Sequence, residues 1–261
     1  MRLRLTSLVV VSLGLGLAPA SAQNGPSNCS VSSQNLFVRD AMQDIYLWYR
    51  EMPDVNAASY RSPEAYLEAV RYRPLDSSFS YITSAEASNA FYSESQFVGY
   101  GISTSVSDSE MRVLQVFGDS PAAEAGLVRG DRIVEIDGRG VASLISSGQI
   151  GSAFGPAESG VSSDMVFQSR SGEERRARLT KRPVTIPTVS LSQVYDVDGR
   201  RVGYIFFRNF VTPSYAALDE AFAALREAGA TELVLDLRYN GGGLVDVAVH
   251  LASLVGGALT S

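Results

Sequence analysis

Residues 233–243 read Leu-Val-Leu-Asp-Leu-Arg-Tyr-Asn-Gly-Gly-Gly, and their pattern decides how the rest of the chain is read. Leu233, Val234, Leu235 and Leu237 form a short run apolar on both faces, which suits a parallel strand covered by helices on each side. Gly241, Gly242 and Gly243 end that strand, and a helical pattern restarts at Leu244. Strand, glycine loop and helix in this order leave backbone N–H groups at a helix N-terminus, where they hold negative charge. A plain tight turn needing positive φ also accounts for the glycines. Asp236, Arg238 and Asn240 shift the reading toward a site, because polar side chains at the carboxyl end of a buried strand need a reason to be there. A dinucleotide loop is set aside, since Asp246 stands where the third glycine belongs and its charge would repel a pyrophosphate.

Composition bounds the rest. The 261-residue chain is 45% hydrophobic, with 22 Lys+Arg against 28 Asp+Glu, which fits a globular protein of about two domains and offers nothing basic enough for nucleic acid. Residues 1–22 predict a secretory signal: Arg2 and Arg4 open it, an apolar stretch fills residues 5–18, and Ala20-Ser21-Ala22 supplies the cleavage site. That stretch is shorter than the roughly 20 residues a membrane span needs, so no span is expected after its removal. Cleavage deletes two arginines and no acid, moving the formal charge from −6 to −8. The expected location is exported, periplasmic or extracellular. Cys29 is the only cysteine, and Pro26-Ser27-Asn28 lacks the small apolar residues of a lipid-anchor signal. It reads as a free thiol on a flexible arm, residues 23–33.

Along the chain, Phe37, Ala41, Ile45 and Trp48 recur at helical spacing, and Pro53 closes that helix. Ser62-Pro63-Glu64 starts a second helix to about Arg71, and Thr83-Ser84-Ala85-Glu86 reads as a capping box for a third. Tyr46, Trp48 and Tyr49 read as core packing, and residues 34–95 as a small helical subdomain. From Phe97 the period becomes strand-like. Strands are predicted near 98–102, 111–116 and 132–136, the last ending in an Asp137-Gly138 hairpin turn. Ser120-Pro121 caps a short helix ended by Gly126, a helix covers about 143–154, and strands over 165–169 and 175–181 flank Ser171-Gly172. After a linker strand at 183–187, strands over 189–195 and 201–207 pair across Asp198-Gly199. Thr212-Pro213 then starts a helix with Leu218, Phe222 and Leu225 inward and Gly229 at its end. With the strand at 233–237 and the helix after it, this makes a βαβα unit.

Residues 119–138, Asp-Ser-Pro-Ala-Ala-Glu-Ala-Gly-Leu-Val-Arg-Gly-Asp-Arg-Ile-Val-Glu-Ile-Asp-Gly, resemble the signature of a PDZ domain of the bacterial protease-associated kind, spanning residues 96–182. The resemblance implies recognition of a chain terminus: an extended peptide adds as a strand, and backbone N–H groups of Gly99, Tyr100, Gly101 and Ile102 take its carboxylate. On the residues alone, a strand bulge also explains those glycines. The signal, the helical N-region, the PDZ-like domain and the stretch from Asp236 to Gly243 together resemble the C-terminal processing, or tail-specific, serine peptidase family.

That resemblance implies a serine nucleophile with a lysine base. It also implies that Gly242 and Gly243 help hold the scissile carbonyl oxygen, supported by Asp236, Arg238 and Asn240. The family's nucleophile and lysine follow the glycine-loop helix, whereas the only lysine here, Lys181, closes the PDZ-like region. The Ser/Lys pair is therefore expected to be absent from these 261 residues, and residues 183–261 to be the opening part of a peptidase core. The implied fold is α+β multidomain: a helical N-terminal subdomain, a PDZ-like β-sandwich or barrel with helices, then a partial α/β (βαβα) core. Expected partners are polypeptide substrates or protein C-termini. No cofactor or metal is expected, because the single histidine, His250, has only Asp246 four residues before it on one helix face. A non-catalytic PDZ adaptor of the cell envelope is the alternative function. A lipid-like ligand, as in retinoid-binding relatives, finds no readable pocket.

Overall fold

The computed structural model describes residues 25–76 and 79–257 and divides the chain after Thr83 into two units. The expected signal, residues 1–22, lies outside the described residues.

In the first unit, α1 (Val31–Ile45) starts inside the stretch expected to be a flexible arm, because Ser30 caps it by accepting from the Ser33 N–H. Cys29 is exposed. The buried stripe of α1 is Asn35, Val38 and Met42, continuing to Tyr46, rather than the predicted Phe37, Ala41 and Ile45; Ile45 is 75% exposed. Asn35 sets this face, since its buried Nδ2 donates to Ala57 O and Tyr60 O, both at 2.9 Å. A polar residue in the stripe hid the true period. The helix stops at Ile45, short of Pro53, and tight turns follow at Tyr49–Glu51 and Ala57–Ser59. Tyr46 packs in the core while Tyr49 is exposed, so the aromatic stripe is split. α2 (Pro63–Val70) begins as predicted, with Ser62 accepting from Ala65 N, and contributes Tyr66, Leu67 and Val70 to the core.

The second unit opens with α3 (Ala85–Glu94), which was expected to belong with the helical subdomain. Ser84 caps it by accepting from Ala87 N, so the predicted box between Thr83 and Glu86 is shifted by one residue. β1 (Gln96–Gly99) is followed by β2 (Ile102–Val106), β3 (Met111–Val116), α4 (Pro121–Glu124), β4 (Arg132–Ile136) and β5 (Arg139–Gly140). Next come α5 (Val141–Ser146), α6 (Ile150–Ala153), β6 (Ser162–Gln168) and β7 (Glu174–Thr180). The sheet runs β2-β3-β4-β6-β7, with β5 on β4, and stays open, with β2 and β7 as its edges. Met111, Val113, Ile133, Ile136, Met165, Phe167 and Leu179 fill its core. Asp137 and Gly138 both take positive φ (49° and 75°), which matches the right-handed twist of the hairpin that pairs Ile136 with Arg139. The single helix predicted over 143–154 is two short ones, because Gly148 turns the chain at φ 69°.

β8 (Arg182–Thr185) pairs antiparallel with β1 and leads to β9 (Val189–Val197), β10 (Arg200–Phe207), α7 (Ser214–Glu227), β11 (Glu232–Asp236) and α8 (Val245–Gly256). β9 and β10 are antiparallel across Asp198-Gly199, and β11 adds parallel to β10. Leu218, Phe222 and Leu225 face inward as predicted, against Ile205, Phe207, Val247 and Leu251. Within this unit's described residues, α7 and α8 pack on one face of the sheet. Side chains alternate along a strand, so Leu233 and Leu235 reach the helices while Val234 points away and is 48% exposed. Leu191, Tyr195 and Val197 are also exposed on β9.

Gly101 sits at φ 85°, and a Cβ there would lie 2.1 Å from Ser120 Cβ, the helix cap of α4. Gly101→Ala is expected to cost about 2 kcal/mol or more, read as a lower urea midpoint at unchanged slope.

Candidate active-site loop and terminus-binding edge

The loop after β11 is organised by Asp236, whose side chain is buried at the end of the strand. Arg238 folds back two residues and donates from Nε at 2.9 Å and from Nη2 to Asp236 Oδ2, while its backbone N–H donates to Oδ1 at 2.9 Å. Tyr204, from the adjacent strand β10, donates its hydroxyl to Oδ2 at 2.6 Å. The Arg238 guanidinium, followed by the Tyr204 hydroxyl, holds the carboxyl well below the usual range against the opposing effect of burial. The same contact with Asp236 raises the Tyr204 hydroxyl pKa.

Asn240 fastens the next part of the loop. Its Nδ2 donates to Phe207 O at 3.2 Å and its Oδ1 accepts from the Gly242 N–H at 2.8 Å. Phe210, just past β10, donates its N–H to Gly242 O and accepts from Leu244 N. Gly243 is pressed so close that a Cβ would lie 2.1 Å from Phe210 O. The two candidate donors therefore differ: the Gly242 N–H is engaged by Asn240, and Gly243, with no hydrogen bond from its N–H among the described residues, sits exposed just before α8. Tyr239 holds φ at 66°, a conformation a non-glycine residue adopts only where its surroundings fix it. Its ring meets Phe206 edge-on and carries Arg129 and Arg208 over it.

At the PDZ-like end, Tyr100 is an anchor. It is buried, and its hydroxyl donates to Ser163 Oγ at 2.8 Å. Burial raises its pKa. Gly101 O accepts from Phe117 N, which fixes the phase of the β2–β3 ladder. In that phase the N–H and C=O of Ile102 point away from β3, toward the open edge of the sheet. Lys181 lies close by: its ammonium donates to Gly155 O at 3.0 Å and to Pro156 O, and stands 5.2 Å from the Tyr100 ring centroid. Burial lowers its pKa. His250 does not meet Asp246; its Nε2 lies 2.8 Å from Asp219 Oδ1 on α7, and its ring packs edge-on against Tyr215. No cluster of metal-ligating side chains occurs among the described residues.

Tyr204, Arg208, Phe210 and Arg129 were not legible as site residues. Each reaches the loop from another strand or turn, and their sequence positions carry no motif.

Three family models match the chain in order: the Peptidase S41 N-terminal domain over residues 33–81, a PDZ domain over 99–154 and Peptidase family S41 over 201–260. Two of these models describe domains of peptidase family S41 and the third a PDZ domain, and the chain is similar to each over the residues matched. The Asp236 loop lies inside the S41 match and the open β2 edge inside the PDZ match. Among curated relatives, the carboxyl-terminal-processing protease of Synechocystis sp. is 29% identical over 157 residues, covering 60% of this chain and 36% of the relative. The chloroplastic C-terminal processing peptidase of Tetradesmus obliquus is 30% identical over 158 residues, covering 57% and 34%. The chain thus spans about a third of the length of these relatives. The solved photosystem II D1 C-terminal processing protease is 23% identical, with 86% of this chain and 65% of that one covered, at a TM-score of 0.48.

Because the Asp236 carboxyl is held ionised in the fold, its contribution to stability is present above the unfolded carboxylate pKa of about 4 and is lost as pH falls below it. Asp236→Asn is expected to cost about 2 kcal/mol at neutral pH. The gap to the parent should shrink below about pH 4 in denaturant titrations at a series of pH values.

Proposed function

We propose that these residues are the terminus-gripping part and the oxyanion side of an exported C-terminal processing serine peptidase. The open edge of β2, entered through the Gly101 turn with the Ile102 backbone groups directed outward, is the observation that carries the gripping half. A peptide laid along that edge gains ladder hydrogen bonds, and its carboxylate falls at the N–H groups of residues 99–102. At the other end, Gly243 is the better oxyanion donor, because the Gly242 N–H already serves Asn240. A backbone donor of this kind is worth about 3 kcal/mol in a transition state.

The 261 residues by themselves bind and do not cut in this reading. Their one lysine is committed to two loop carbonyls beside Tyr100 and is not available as a base. The same observation favours the second reading, a PDZ peptide-binding adaptor. Full catalytic competence would require a serine and a free lysine brought to Gly243.

A fluorescent peptide with an apolar, free-acid end is expected to bind the purified chain, and amidating that end should weaken binding by at least about tenfold. An unstructured protein substrate should survive incubation intact. Cleavage would refute the bind-only reading, and equal affinity for the amide would refute terminus recognition. N-terminal sequencing of the exported protein should start at Gln23; a retained Met1 removes the export reading.

A further inference from the structure

Arg208 and Asn209, at the carboxyl end of β10, are both 93% buried, each with 7% relative exposure. Arg208 Nε and Nη1 and Asn209 Nδ2 have no hydrogen-bond partner among the described residues. Elsewhere, a buried unpartnered atom belongs to a group bonded through another atom: Asn35 to Ala57 O, Arg71 to Glu68, Gln115 to Ser190, Asp131 to Arg175. Among the described residues, the side chains of Arg208 and Asn209 make no hydrogen bond. The Arg208 guanidinium stands 5.8 Å from the Tyr239 ring centroid and 6.0 Å from that of Phe117, so it lies where the PDZ-like sheet meets the Asp236 loop. Arg129 approaches the same Tyr239 ring at 5.7 Å, bonded only to Leu114 O and the Tyr239 hydroxyl.

Neither arginine is in an ion pair among the described residues, in a chain whose formal charge is −6. Two guanidinium groups within 6 Å of one ring centroid, neither paired to an acid among the described residues, are a local excess of positive charge. A buried cation with vacant donors is costly until an anion meets it, and guanidinium matches a carboxylate in planar geometry.

We propose that Arg208, with Arg129 beside the same Tyr239 ring, forms a subsite for a carboxylate carried by a polypeptide ligand. The proposal rests on the reading of this chain as a peptide-binding one. The carboxylate comes either from the ligand's chain terminus or from an acidic side chain, and the chemistry at Arg208 is the same.

The test uses fluorescence anisotropy of the 261-residue chain with three peptides of one apolar sequence: free-acid end without acidic residues, amidated end with one glutamate, and amidated end with none. Arg208→Gln is expected to weaken one or both acid-bearing peptides by about tenfold and to leave the neutral amide unchanged. Loss confined to the free-acid peptide identifies the terminus as the source; loss confined to the glutamate peptide identifies the side chain. The exposed Arg129→Gln, which leaves the buried group in place, should weaken the same peptide by a smaller factor that vanishes at high salt. Unchanged affinities in folded Arg208→Gln, with the amidation effect intact, overturn the subsite and leave terminus recognition standing. If no peptide binds, terminus recognition has failed and succinate decides the subsite: a saturable shift of the Arg208 Nε–H resonance supports it, and no shift overturns it.

Discussion

The pairing of Asp236 with Arg238 and Tyr204 is the constraint on which the candidate site depends. A carboxylate buried at the end of a strand is tolerable only when its oxygens are occupied. Here one partner comes from two residues along the chain and another from the neighbouring strand. The arrangement ties the outgoing loop to β10 before the glycines begin. Asn240 repeats the device two residues later by reaching Phe207 O and the Gly242 N–H. With both ends fixed, Tyr239 is held in a left-handed conformation and Gly243 is pressed against Phe210.

The PDZ-like sheet and the βαβα core meet through aromatic and cationic side chains and the Gln115–Ser190 hydrogen bond rather than through a shared sheet. Phe117 closes β3 beside Gly101 and also packs in the cluster with Val184, Ile186, Phe91 and Phe97. Its ring lies under Arg208, whose other neighbour is Tyr239. A turn that borders the open β2 edge and a turn that carries the glycine loop are thus separated by one guanidinium. This proximity follows from tertiary packing alone.

Local chemistry was legible wherever a residue's role is satisfied within a few positions. Asp137-Gly138, Ser120-Pro121, Ser62-Pro63 and Gly229 stand where turn and cap preferences put them, because φ and the first free N–H groups are settled by the nearest residues. Legibility failed where a distant partner decides. The face of α1 is set by the Asn35 contacts to Ala57 and Tyr60, so counting apolar residues chose the wrong stripe. His250 turns to Asp219 on another helix instead of Asp246 on its own. Gly148 divides a helix whose amphipathic spacing runs through it. In the loop, Asp236, Arg238 and Asn240 announced themselves as polar residues at a strand end, while Tyr204 and Arg208 look in sequence like ordinary members of β10 and its exit.

The sheet that carries the glycine loop packs α7 and α8 on one face, and on the other Leu191, Tyr195, Val197 and Val234 are exposed among the described residues. Such a plate behaves like a weak amphiphile. Ordered hydration over aliphatic and aromatic carbon makes contact between copies more favourable on warming and in salts excluded from protein surfaces. Cooling and low sulfate weaken that contribution.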